Sequence, residues 1–179
     1  MVFVALYSLS ESKTVFEGKI MTVRVDRVEI APGVIAPREV VGHSPAVCVL
    51  PVDGDGNVYL VRQYRHPVGR ELTEAPAGLM EAGETPLQAA ARELKEEIGA
   101  VGELIALGDF LPTPGYCEEL IHLFLGKVES FGDTAPDEDE FLQTVKMPFS
   151  EFYGQVRDGI LNDGKTVAVA LRAACRLGY

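Results

Sequence analysis

Four carboxylates in a short span are the residues of this chain whose types and spacing could do chemistry. Glu84, Glu93, Glu96 and Glu97 lie in GLMEAGETPLQAAARELKEEIGA, the stretch from Gly78 to Ala100. At about 100° per residue, Glu93 and Glu97 fall one turn apart, beside a stripe of Leu87, Ala91, Leu94 and Ile98 expected to be buried. The two carboxylates should project together, half-sheltered, while Lys95 and Glu96 turn toward water. Like charges at this spacing repel by roughly 0.2–0.5 kcal/mol on an exposed helix and by more when partly buried, so the accumulation predicts a compensating cation. Hard oxygen ligands point to Mg²⁺, with Mn²⁺ as a substitute. A solvated, salt-bridged helix face is the competing reading of any Glu-rich run.

The ends of this helix are written in its sequence. Thr85 supplies an N-cap hydroxyl, Pro86 fits the first helical position, Gln88 can close a capping box, and Gly99 supplies the stop. A second acidic cluster, Asp137-Glu138-Asp139-Glu140, reads by itself as a solvated loop. Beside the first cluster it gains a second reading, because a mobile carboxylate outside a metal's ligand set can deprotonate a water. Arg62 and Arg65, in RQYRHP, could clamp a diphosphate or could line a solvated strand edge. His43, His66 and His122 stand apart from any nucleophile, and no Ser-His-Asp or Cys-His arrangement suggests covalent catalysis.

The spacing from Gly78 through Glu84 to Arg92-Glu93-Leu94, Glu96-Glu97 and Gly99 resembles the signature of the Nudix hydrolases at every fixed polar and glycine position. Ala100 departs only where that family prefers a larger aliphatic residue. The stretch RQYRHP followed by Glu74-Ala75-Pro76-Ala77-Gly78, and Pro114 fifteen residues beyond Gly99, is similar to the ADP-ribose pyrophosphatase branch. The resemblance covers about residues 15–150. It implies hydrolysis of ADP-ribose to AMP and ribose 5-phosphate, with metal held by Glu93, Glu97 and the Ala77 carbonyl, and Glu96 close by. Arg92 would orient the carboxylates, and Glu84 would support the loop or an outer-sphere contact. Glu138 is implied as the base and Glu140 as a further ligand, a pair that could be exchanged. Arg65 would approach the phosphates and Glu119 the terminal ribose. Lys19 and Ile20 match positions that hold adenine from the partner chain's N-terminal strands. GDP-mannose, a flavin or other dinucleotide, and a diadenosine polyphosphate remain alternative substrates, and a catalytically silent nucleotide-binding module is the alternative from another class. Motifs of the coenzyme A and NADH branches are absent.

The elements needed to position these residues follow from pattern. Residues 1–42 alternate apolar and polar around turns at Glu17-Gly18 and Pro32-Gly33, predicting two or three antiparallel strands that need the later sheet or a second copy of the chain as cover, the second making a homodimer through them. PAVCVLPV and the segment from Val58 to Tyr64 predict a central hairpin around an Asp53–Asn57 turn. Strands over 103–111, 118–128 and 141–147 follow, then helices over 148–157 and 165–177 that read as scaffold. The expected fold is α/β (α+β), a mixed sheet sandwiched between helices, with an extra N-terminal antiparallel sheet over 1–42 and a Nudix domain over 43–179. The net charge of −11 argues against gripping nucleic acid. Cys48, Cys117 and Cys175 read as small core residues in a reducing cytoplasm, and neither a leader nor a span near 20 apolar residues is visible.

Overall fold

The computed structural model describes residues 7–135 and 141–179, which form two compact units. The first comprises residues 7–44 and 113–119. Strands β1 (Ser8–Glu17), β2 (Met21–Ala31) and β3 (Val34–His43) make an antiparallel sheet in the order β1-β2-β3, as the alternating pattern predicts. Every residue of β1 is exposed. Residues 113–119, expected to lead into a strand, instead lie along β3: the Val41 N–H donates to the Tyr116 carbonyl (2.7 Å) and the Glu118 N–H to the Val41 carbonyl (2.9 Å). Arg24 fixes them there, with Nη1 and Nη2 on the two carboxylate oxygens of Glu118 (2.8 and 2.5 Å) and Nε on Asp26 (3.1 Å).

The second unit comprises residues 45–112 and 120–179. Its centre is β4 (Ala46–Val52), which pairs parallel with β9 (Ile121–Phe131) and antiparallel with the short β7 (Ala77–Leu79). Strands β5 (Asn57–Arg65), β6 (Arg70–Glu74), β8 (Ala100–Phe110) and β10 (Gln143–Pro148) complete a mixed sheet with β10-β5-β4-β9-β8 as its main order. The hairpin turn is held by Asp53, which accepts from the N–H groups of Asp55 and Asn57, from Asn57 Nδ2 and from the Tyr59 hydroxyl.

The continuous apolar run of β4 is explained by helices on both sides of it. Val47 and Val49 face α1 (Pro86–Ile98) and pack with Ala89, Ala90, Leu94 and Ile98. Cys48 and Leu50 face the other way and pack with Phe149, Phe152 and Val156 of α2 (Phe149–Arg157) and Val169, Ala170 and Ala173 of α3 (Gly164–Leu177). The mixed sheet between helices is therefore the fold expected from the sequence. No described helix is long and apolar enough to cross a membrane.

Two expectations need correction. Leu87 and Ala91 of α1 are exposed, and the buried face is rotated to Ala89, Ala90, Glu93, Leu94, Glu97 and Ile98. The sheet accepts alanines where the helix comes close, so the apolar stripe alone misplaced the contact line. Of the cysteines only Cys48 is a core residue, whereas Cys117 is half-buried and Cys175 exposed.

Candidate active site

Helix α1 begins and ends as its sequence dictates. Thr85 Oγ1 accepts from the Gln88 N–H (3.3 Å) while Gln88 Oε1 accepts from the Thr85 N–H (2.9 Å), closing a capping box. Gly99 takes φ +68°, and its N–H returns to the carbonyls of Leu94 and Lys95. A Cβ at Gly99 would also overlap the Gly132 carbonyl oxygen, where the chain leaving β9 crosses the helix end. There the Gly132 N–H donates to the Gly99 carbonyl (2.8 Å) and the Ala135 N–H to the Glu96 carbonyl (2.9 Å). Glu138 and Glu140 lie outside the described residues, three and five positions beyond Ala135.

With its ends fixed, the helix drives Glu93 and Glu97 inward. They are 8% and 5% exposed, so they are buried rather than half-sheltered. Burying carboxylates is costly unless they are hydrogen-bonded or face a cation, and the surroundings meet that need. The Ala77 N–H donates to Glu97 Oε2 (3.2 Å) from the edge of β7. Glu93 occupies the space beside Gly78: a Cβ there would overlap its Cδ and both carboxylate oxygens. Gly78 is thus required by close approach, not by an unusual backbone angle.

Arg92 is the hub of the cluster. Its Nη1 donates to Glu93 Oε1 (2.6 Å) and Glu96 Oε2 (3.0 Å), its Nε and Nη2 grip Glu84 (2.9 and 3.0 Å), and Nη2 also reaches the Leu79 carbonyl (2.9 Å). One guanidinium therefore serves three carboxylates and ties the loop before α1 to β7. Glu84 in turn accepts from the Glu81 N–H (2.8 Å). Arg92, aided by that N–H, holds the Glu84 carboxyl down from 4.5 to about 2. Among the described residues no three His, Cys, Asp or Glu side chains already converge to hold an ion. Even so, the donor set suits a hard divalent cation: buried carboxylates one turn apart, with main-chain groups of β7 alongside and more negative charge than Arg92 balances.

Arg65 lies at the end of β5 and is bound to Glu74 of β6 through Nε (2.9 Å) and Nη2 (2.7 Å). Glu74 is 1% exposed and also receives Lys165 Nζ from α3. Burial works against its ionisation, but Arg65 and Lys165 outweigh that and hold its pKa below the ordinary value. Sequence reasoning missed the roles of Glu74 and Lys165; the available signal was a lysine in the first turn of a helix, where the dipole disfavours it. In the first unit, Lys19, Ile20, His43 and Ser44 help line an open hollow of about 290 Å³. Glu119 Oε1 lies 3.7 Å from His43 Nδ1. Cys48 is no nucleophile, since burial pushes its thiol well up.

Because the folded-state pKa of Glu84 is depressed, its contribution to stability is fully present above pH 4.5 and is lost as pH falls toward about 2. Glu84→Gln should therefore reduce the loss of stability across that window, read by urea unfolding at stepped pH. The same acid slope in the variant would show that Arg92 does not hold Glu84 in solution.

Residues 42–169 match the NUDIX domain, and residues 10–41 match the nucleoside diphosphate sugar hydrolase N-terminal domain. The chain is 36% identical to the ADP-ribose pyrophosphatase of Bacillus subtilis over 155 residues, covering 85% of this chain and 84% of that protein. It is 35% identical to the methanol dehydrogenase activator of Bacillus methanolicus over 160 residues, covering 88% and 86%. A crystal structure described as an ADP compounds hydrolase superposes with a TM-score of 0.86 at 24% identity, covering 96% of this chain and 94% of that one, and shares its fold. With the NUDIX match running over most of its length and relatives above 30% identical across most of both chains, the chain belongs to the Nudix hydrolase family.

Proposed function

We propose that this Nudix hydrolase cleaves the diphosphate of ADP-ribose, with water entering and AMP and ribose 5-phosphate leaving. The observation that carries the reading is the pair of buried carboxylates, Glu93 and Glu97, seated against Gly78 and Ala77, with Arg92 holding Glu93. The ADP-ribose pyrophosphatase relative supports the choice of substrate. Mg²⁺, with Mn²⁺ as a substitute, would be held by Glu93, Glu97 and the Ala77 carbonyl, with Glu96 and Glu140 as further ligands. The ion, when bound, neutralises the diphosphate and acidifies water.

The chain's own residues supply the rest of the reaction. Arg92, gripped by Glu84, holds the Glu93 and Glu96 carboxylates on one guanidinium, and Gly99 lets the chain from Gly132 to Ala135 cross the helix end. Glu138, which follows shortly after, would take the proton of the attacking water. Arg65 would grip the phosphates, and Glu119 the terminal ribose. Lys19 and Ile20 would face the adenine across a homodimer formed through the N-terminal strands, a role favoured by the wholly exposed β1. We assign residues 1–42 to this extension, residues 43–179 to the hydrolase domain, and the protein to the cytoplasm. The net charge of −11 disfavours nucleic acid as a partner.

Chromatographic product analysis with Mg²⁺ and, in parallel, ADP-ribose, NADH, flavin adenine dinucleotide, GDP-mannose and diadenosine polyphosphate tests the reading. AMP and ribose 5-phosphate should appear fastest from ADP-ribose; faster cleavage of another compound would discard that substrate. Glu138→Gln should lower kcat more than it raises KM, and the reverse would recast Glu138 as a binding residue. Gly78→Ala should keep its circular dichroism spectrum yet lose activity on the order of 10²-fold, because the methyl displaces the Glu93 carboxylate. Wild-type turnover in that variant would contradict the placement of Glu93.

A further inference from the structure

Behind Arg65 lies an alternating row of charges that the reaction as described does not use. Arg65 is bound on Nε and Nη2 to the two oxygens of Glu74, and its Nη1 makes no hydrogen bond among the described residues. Lys165 Nζ shares Glu74 Oε2 with Arg65 and reaches Asp163 Oδ2 at 3.0 Å. Exposure is least inside the row: the side chains of Arg65, Glu74, Lys165 and Asp163 are 39%, 1%, 14% and 17% exposed. The end away from Arg65 is anchored to the start of α3. Asp163 caps that helix by accepting from the Thr166 N–H (3.0 Å) and from Thr166 Oγ1 (2.6 Å), and Thr166 Oγ1 accepts from the Ala75 N–H (2.8 Å). Lys165 occupies the first turn of α3, where the helix dipole opposes a cation. Helix capping therefore gives no reason for a lysine here, and the Glu74 carboxylate does.

We propose that Lys165 is a positioning residue for substrate binding: by sharing the buried Glu74 carboxylate with Arg65, it fixes the Arg65 guanidinium and leaves its charge available to an anionic diphosphate. The proposal rests on the assignment of Arg65 to the substrate phosphates. Lys165 has a second carboxylate in Asp163, whereas Arg65, among the described residues, has Glu74 alone and must share it. Without Lys165, Glu74 would spend its whole charge on Arg65, and the potential at Nη1 would fall. The effect belongs to ground-state and transition-state binding alike, so it appears in KM and leaves kcat nearly intact.

Steady-state kinetics with ADP-ribose and Mg²⁺ on Lys165→Met, Arg65→Gln and the double variant test this. Lys165→Met should raise KM about tenfold with kcat within about twofold, and Lys165→Arg should restore most of the loss. In the Arg65→Gln background, Lys165→Met should add little, because it acts through Arg65. If Lys165→Met does not fold by circular dichroism, Lys165→Gln, which keeps a donor for Glu74 and removes the charge, takes its place. An unchanged KM, or equal losses in both backgrounds, would overturn the proposal and leave Lys165 a structural residue. An unchanged KM in Arg65→Gln would instead remove the Arg65 assignment beneath it.

Discussion

The burial of two like charges on one helix face is the constraint on which the second unit depends. Glu93 and Glu97 cannot be placed against β7 unless the strand has no side chain at Gly78 and offers an N–H at Ala77. They cannot stay there as anions without a cation or donors close by, since an uncompensated buried carboxylate costs several kcal/mol, on the order of a large part of a domain's stability. Arg92 supplies part of that compensation at Glu93, and the Ala77 N–H part at Glu97. In doing so Arg92 ties together the loop at Glu84, the helix and the Leu79 carbonyl. Glu84, Glu93, Glu96 and Glu97 outnumber this one guanidinium, and the proposed metal would answer the same physical need.

The sheet places this cluster with economy. Because β4 is covered on both faces, α1 and α3 approach the same short stretch, residues 74–78, from opposite sides. Helix α1 contacts it through Glu93 and Glu97, and α3 through Lys165 and the buried Thr166 hydroxyl. The segment that carries the candidate metal contacts is thus fixed at both ends by side chains rather than by long strand pairing, β7 being only three residues long.

Local signals made much of this readable in the sequence. The capping box of Thr85 and Gln88, the stop at Gly99 and the one-turn spacing of Glu93 and Glu97 are all short-range features, and each takes the form its residues dictate. The two-sided apolar character of PAVCVLPV likewise announced a covered central strand. What could not be read was long-range. The rotation of α1 that exposes Leu87 depends on how closely the alanines let the helix approach the sheet. The pairings of Glu74 with Lys165 and of Arg24 with Glu118 join residues 91 and 94 positions apart. The seating of Glu93 beside Gly78 became visible only once β7 was paired with β4.

The central claim is that Glu93 and Glu97 form a divalent-cation site. Its most direct test is titration of the full chain with Mn²⁺, counting bound ions by the loss of the free-ion electron paramagnetic resonance signal, in parallel with Glu97→Gln. The account predicts saturable binding that Mg²⁺ displaces and that weakens about tenfold or more when the Glu97 charge is removed. Equal Mn²⁺ binding by the two proteins would contradict it.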